Sequence, residues 1–142
     1  MRICITGSRH WTNEQRIRNF LVVLVDFYGI NLEIAHGKSK GGGVDLMVEK
    51  ICDELGIIQW PFPVRAGKTG IDGPNFKVAP LNRNVRMLKS FMPDLVLAFR
   101  ASGKSSGTDH TCRAAKELGI DVFVIREDEP FSDEILLDAL TT

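Results

Sequence analysis

The sequence predicts a three-layer α/β fold: a doubly wound parallel sheet of about five strands, in the order 3-2-1-4-5, with helices on both faces. Three observations predict it. Short β-branched runs alternate with longer stretches of helical period through residues 2–125, the pattern of parallel strands joined by crossover helices. Right-handed crossovers taken in that order build an open sheet outward on both sides of the first strand, a Rossmann-like arrangement. Glycine-rich loops follow the first, second and fourth strands, where such a sheet binds its ligands.

Residues 2–6 form the first strand. Thr12 offers an N-cap with Gln15 three residues on, and Ile17, Phe20, Leu21, Leu24 and Phe27 fall at helical spacing through to Tyr28 and Gly29, so this segment reads as a helix with one buried face. Residues 32–36 form the second strand. After a glycine cluster, Val44, Met47, Val48, Ile51, Cys52 and Leu55 make the clearest helical stripe in the chain, and Gly56 is its C-terminal stop. Residues 57–60 form a short third strand. Four of the six prolines, with Gly67, Gly70 and Gly73, fall in residues 61–80, a long loop of the kind that serves as a binding loop or lid. Residues 81–91 are a third helix, 95–99 a fourth strand, 108–118 a fourth helix and 122–125 a fifth strand, whose unbroken apolar run predicts burial on both faces. Ser132 can cap a last short helix, with Phe131 and Leu136 as a hydrophobic staple.

A chain of 142 residues fits one domain, here with a core over residues 1–125 and an acidic helical appendage over 126–142. Its 44% hydrophobic and 25% charged residues exclude a disordered chain. No apolar run approaches the roughly 18 residues of a membrane span, and the first residues read as a strand rather than a signal peptide. A cytoplasmic protein without a membrane partner is expected. Cys4, Cys52 and Cys112 make no CxxC pair, and scattered thiols of odd number suit a reducing compartment as buried small hydrophobes. The 18 basic and 18 acidic residues cancel, which argues against a nucleic-acid binder working by bulk charge. The zero is a sum of unlike parts: residues 1–125 hold 17 basic against 12 acidic residues, and residues 126–142 hold one against six. An anion site belongs in the first part.

Gly7-Ser8-Arg9 follows the first strand, residues 37–43 the second and residues 103–108 the fourth. Helix N-termini present unpaired N–H groups and about half a positive charge, and glycine lets the backbone approach an anion closely. Arg9, Lys38, Lys40, Arg100 and Lys104 lie in or beside these loops. Each loop alone is ordinary turn chemistry; together they describe a site for a phosphate-bearing ligand. Two nearby motifs fail. A GxxxxGK[ST] loop would need glycine at Ala98 or at Leu32, and GxGxxG is missing after the first strand, which runs on as Gly7-Ser8-Arg9-His10-Trp11. An ordinary NAD dehydrogenase is disfavoured.

Gly7-Ser8-Arg9 with Trp11, His36-Gly37 with a glycine-rich turn and Asp45, Pro80-Leu81-Asn82-Arg83-Asn84 with Met87, and Gly107-Thr108 occur in one register. In that order and spacing the chain resembles the YspA-like branch of the SLOG superfamily, the Rossmann-like group that includes Smf/DprA and the LOG phosphoribohydrolases, over residues 1–125. The resemblance implies binding of a nucleotide or nucleotide-derived molecule at the strand carboxyl ends. Gly7, Ser8 and Arg9 would form its first ligand loop, Gly37 with Gly41, Gly42 and Gly43 the second, Asn82 and Arg83 a polar clamp, and Gly107 and Thr108 the phosphate loop. It also implies a homodimer or higher homo-oligomer. On its own chemistry, Arg83 either binds phosphate as a bidentate fork or completes a structural ion pair. The LOG enzymes carry a PGGxGTxxE loop, and Thr111 stands here where that glutamate would be, so their mechanism does not carry over. Asp109 and His110 are the nearest substitutes, although an Asp in a first helical turn also complements the helix dipole.

His36 ends a strand beside the expected site, either as an orienting group or base for a ligand or as a histidine bonded to the backbone. Neither it nor Asp45 has a partner at a recognised metal spacing, and no metal or cofactor is expected. Trp11, in the first loop, and Trp60, at the end of the third strand, either stack on a nucleobase or pack in the core. The expected function is a sensor or sequestering module for a nucleotide-derived small molecule. One alternative is a hydrolase of a nucleotide N-glycosidic or phosphate bond acting through Asp109, His110 or His36. Another is a DNA-associated module by analogy with Smf/DprA, against which the balanced charge counts.

Overall fold

In a computed structural model of the chain the described residues are 1–39 and 41–142, with the side chain of Phe131 set aside. Lys40 and the staple between Phe131 and Leu136 therefore lie outside the described residues. Five parallel strands form one sheet in the order β3-β2-β1-β4-β5, with β1 (Arg2–Gly7), β2 (Glu33–His36), β3 (Ile58–Pro61), β4 (Leu95–Arg100) and β5 (Asp121–Arg126). The expected topology is the observed one. The helices are α1 (Glu14–Tyr28), α2 (Val44–Leu55), α3 (Ala79–Phe91), α4 (Ser106–Glu117) and α5 (Asp133–Thr141).

Two apolar layers hold the sheet. Ile17, Phe20, Leu21 and Leu24 of α1, Val44, Val48 and Ile51 of α2 and Leu140 of α5 pack with Ile3, Ile5, Ile34, Leu97 and Phe99 on one face. Met87, Leu88 and Phe91 of α3 and Ala114 and Ala115 of α4 pack with Cys4, Ala35 and Val96 on the other. Alternate residues of a strand point to opposite faces, so β1 feeds both layers. All three cysteines are free and buried. Gly56 ends α2 in the left-handed region at φ 68°, its N–H returning to the Cys52 carbonyl, as a helix stop requires.

Several boundaries differ from those expected, each for a local reason. Asn13, not Thr12, caps α1 by accepting the Arg16 N–H, because both the N–H and the hydroxyl of Thr12 are taken by Glu127 Oε2 at 2.9 and 3.1 Å. Helix α3 starts two residues early with Pro80 in its first turn, a position where the missing N–H costs nothing. Helix α4 also starts two residues early, at Ser106. Ser132 makes no side-chain cap on α5. Strand β5 is not buried on both faces: it is an edge strand with Val124 41% exposed and only Ile125 fully covered.

The acidic segment is not a loose appendage. Arg16, buried within α1, makes a two-pronged contact with Asp133 (2.8 and 2.7 Å) and donates to the carbonyls of Arg126 (2.6 Å) and Glu129 (2.9 Å). The Tyr28 hydroxyl donates to the Leu140 carbonyl at 2.5 Å. A buried guanidinium needs this many acceptors, and the last 17 residues supply most of them.

Candidate functional site

A cleft of about 580 Å³ opens at the carboxyl ends of β1 and β4, at the switch point where an open α/β sheet receives ligands. Its walls come from four segments: residues 6–10 after β1, Ser39, Gly42 and Asp45 before and within α2, Lys77, Pro80, Leu81, Arg83 and Asn84 before and within α3, and residues 104–108 at the start of α4.

Close backbone approach builds the first wall. A Cβ on Gly7 would lie 2.7 Å from the Phe99 carbonyl, and one on Gly43, which also sits at φ +80°, would lie 2.5 Å from the Ser8 carbonyl. Both contacts lie below any real Cβ distance, so α2 and β4 can close on this loop only around glycine. Ser8 then ties two loops together. Its Oγ accepts the Ala101 N–H at 3.0 Å and meets Ser105 Oγ at 2.5 Å, while its carbonyl accepts the Val44 N–H at 3.3 Å. Ser8 thus lines the cleft as a brace between the first and fourth loops.

Arg83 occupies the floor. It is 8% exposed; its Nη1 donates to the carbonyls of Gly37 and, at 3.0 Å, Phe62, and its Nε to Asn84 Oδ1 at 3.0 Å. This leaves Nη2 without a protein partner among the described residues, so the bidentate phosphate fork is not available: one nitrogen, not two, can meet a ligand. Asp45 lies beside it, its Oδ2 accepting the Ser39 N–H at 3.2 Å. Burial pushes the Asp45 carboxyl above its ordinary range against the pull of Arg83, His36 and the Ser39 N–H. Burial likewise pulls Arg83 below its ordinary value, against Asp45 and Asp72.

The charge of the cleft is lopsided. Arg9, Lys77, Arg83 and Lys104 line it against the single carboxylate of Asp45. No side chain caps α4, and residues 105–108 line the cleft at its start, so partial positive charge of the helix end adds to the side chains. Gly107 leaves open space where a Cβ would stand. The arrangement can hold an anion with polar groups around it.

Several expected site residues lie elsewhere. Trp11 is 1% exposed, stacked edge-on against Phe99 with centroids 5.4 Å apart and its Nε1 donating to the Asn13 carbonyl; it is a core residue and no base can reach it. Trp60 is 47% exposed on the outer edge of the sheet and donates to Glu33 Oε1, so it neither packs in the core nor lines the cleft. Asn82 turns away to the Asp72 carbonyl at 2.9 Å. Gly37 and Gly41 are not in the wall: Gly37 makes room for Arg83, and Gly41 lies against the Arg9 side chain. Fully buried His36 accepts the Lys38 N–H at Nδ1 (3.2 Å) and pairs through Nε2 with Gln59 Oε1 (2.9 Å), which commits both nitrogens and removes it as a base.

The catalytic candidates on α4 are also misplaced for this cleft. Asp109 pairs with Arg100 (3.0 and 3.3 Å) in a separate depression, and that hydrogen-bonded guanidinium holds its carboxyl below the ordinary range. His110 meets Asn84 Nδ2 at 3.4 Å, and burial lowers its pKa, helped by Arg113. Thr111 is buried and donates to the Gly107 carbonyl at 3.1 Å. Among the described residues no three His, Cys, Asp or Glu come together as a metal site.

Between β3 and α3, residues 62–78 form a loop that Asp72 ties to α3. Asp72, 2% exposed, accepts Arg86 Nε (2.8 Å) and Nη2 (3.0 Å) and the Arg65 N–H (2.7 Å). Arg86 holds the carboxyl of Asp72 below the ordinary range. Lys77, Asn84 and His10 also line the cleft and were not foreseen as site residues, although each stands in a segment that carried a signal: the 61–80 loop, the Pro80 to Asn84 run and the loop after the first strand.

No family model matches the chain, and no curated protein matches it. Among solved structures, DNA processing protein A (DprA) from Streptococcus pneumoniae superposes with a TM-score of 0.66 at 17% identity, covering 98% of this chain and 55% of that one. UDP-GlcNAc 2-epimerase from Neisseria meningitidis, in a structure bound to UDP-GlcNAc, superposes with a TM-score of 0.57 at 15% identity, covering 100% of this chain and 39% of that one. The chain thus spans about half of the first protein and two fifths of the second. At these identities what is shared is the Rossmann-like α/β fold.

Proposed function

We propose that the cleft binds a nucleotide or nucleotide-derived small molecule and that the protein works as a sensor or sequestering module for it, as a member of the YspA-like branch of the SLOG superfamily. The observation that carries this reading is the charge of the cleft: four cations and an uncapped helix start face one carboxylate at the carboxyl ends of β1 and β4. A phosphate would sit at the start of α4, within reach of Lys104 and the hydroxyls of Ser106 and Thr108. Asp45 and Asn84 would meet the donors of a sugar or base. A neighbour of the same fold over 39% of its length was solved bound to a nucleotide sugar, which supports the ligand class.

Binding without turnover is the better reading because Asp109, His36 and His110 lie outside the cleft wall and Thr111 replaces the glutamate. The test is calorimetry against nucleoside mono- and diphosphates, ADP-ribose and cyclic derivatives. Wild type should bind at least one. Lys104→Ala and Gly107→Asp should each weaken binding at least tenfold, a loss of about 1.4 kcal/mol, because the second places a carboxylate where the phosphate would sit. A wild-type protein that binds none of the panel, or one whose affinity survives both changes, overturns the reading.

A further inference from the structure

The separate depression between α4 and β5 has a volume of about 250 Å³, a floor of Val124 and Cys112 and a rim of Arg100, Arg113, Lys116 and Arg126. Its one carboxylate, Asp109, is taken by Arg100. Arg113, Lys116 and Arg126 are exposed and have no acidic partner within salt-bridge distance among the described residues. This is a cationic groove with an apolar floor, on the α3/α4 face of the sheet.

A surface of matching character lies on the same chain. Helix α5 contains no lysine or arginine. Glu134, Ile135 and Asp138 share its outward face, all three exposed, with Ile135 at 74%. Neither Glu134 nor Asp138 has a cationic partner among the described residues. The helix packs on α1, on the opposite face of the sheet from the groove, and the contact between Arg16 and Asp133 fixes it there. A chain cannot place its own α5 in its own groove.

We propose that copies of this chain associate head to tail, α5 of one copy seating in the α4/β5 groove of the next, with Ile135 on Val124 and with Glu134 and Asp138 against Arg113, Lys116 and Arg126. The two surfaces differ, so the contact is heterologous and closes as a ring or continues as an open chain. One short helix in a shallow groove makes a small interface, hence a weak and salt-sensitive one. The apolar floor favours this occupant over a nucleic-acid backbone, which offers Val124 nothing, whereas α5 offers Ile135. The groove meets the ligand cleft at Thr108, but none of Arg113, Lys116, Glu134 and Asp138 lines that cleft.

Sedimentation equilibrium across a concentration series tests it. At low salt the mean mass of wild type should rise above the 15.8 kDa of one chain with concentration, and it should return to that value at about 1 M salt, where the screening length is about 3 Å. R113A/K116A and E134K/D138K should each remain single chains, with association at least tenfold weaker; the emptied groove keeps only Arg100 and Arg126, which repel the lysines of the second variant. Mixed in equal amounts, the first supplies an intact α5 and the second an intact groove. The mixture should give a one-to-one complex of twice the mass that grows no further. Both variants change exposed side chains, and thermal melts confirm their folds. A wild type of constant mass, an association that the variants leave unchanged, or a mixture that does not pair overturns the proposal. So does salt-sensitive capture of a DNA duplex through Arg113 and Lys116 by a chain that stays single, which assigns the groove to nucleic acid.

Discussion

The guanidinium of Arg83 reaches the Gly37 carbonyl through space that any side chain at position 37 would fill. A Cβ there would stand 2.8 Å from Arg83 Cζ and 2.9 Å from Asp45 Oδ2. Gly37→Ala should therefore destabilise the protein by about 1–3 kcal/mol, as overfilling a packed interior does. Urea titration measures this, and the loss should shrink when Gly37→Ala is combined with Arg83→Ala, because the second change vacates the contested space.

Arg16 and Asp133 predict a dependence of the whole fold on the last helix. Removing one partner of a buried ion pair costs about 3–5 kcal/mol, and Arg16→Met also leaves carbonyls of residues 126 and 129 unmet. Asp133→Asn should cost less than Arg16→Met, since an amide oxygen still accepts one of the two hydrogen bonds. Chemical denaturation of both variants and of the pair gives the coupling.

The two tryptophans should report opposite environments. Acrylamide should quench the emission of Trp60 strongly and that of Trp11 weakly, so Trp60→Phe leaves a single, protected emitter. Trp11→Ala should cost about 3–5 kcal/mol, whereas Trp11→Phe should leave the affinity of any cleft ligand within about twofold, because the ring packs on Phe99 and lines no part of the cleft.

Two aspartates should tilt the pH profile in opposite directions. Asp72 has a lowered folded pKa, from its hydrogen bond to Arg86 first, so its contribution is complete above the unfolded value of about 3.9 and is lost as pH falls through the folded value. Asp45 has a raised one, from burial first, so its contribution is present below about pH 3.9 and is lost as pH rises through the folded value. Asp72→Asn should flatten the acid limb of stability, and Asp45→Asn should remove the share of the decline that Asp45 causes as pH rises. Denaturation midpoints compared on the acid and the neutral side of about pH 3.9 check both signs.

What the amino-acid order disclosed follows from periodicity. The stripe from Val44 to Leu55, its stop at Gly56 and the strand order all come from regular spacing and the handedness of crossovers, and so does the general position of the cleft. Polar pairing has no period. His36 is occupied by Gln59, 23 residues away, and Arg16 by Asp133, 117 residues away, and nothing near either residue in the chain announces its partner. Trp11 illustrates the same limit for apolar groups: it stands in a ligand-facing loop, yet its ring turns back beneath Arg16 onto Phe99. The unbroken apolar run of β5 resembles an interior strand because hydrophobicity alone does not record that the strand is last in the sheet.

The arrangement around Arg16 also sets an order of events during synthesis. The first helix leaves the ribosome well before Asp133 exists, and at the usual pace of about 5–20 residues per second the interval of 117 residues lasts roughly 6 to 23 s. Throughout it the guanidinium has no Asp133 to pair with, and burying it unpaired would cost several kcal/mol. Arrival of Asp133 then supplies the missing acceptor, so the last described helix acts as a late latch on the first.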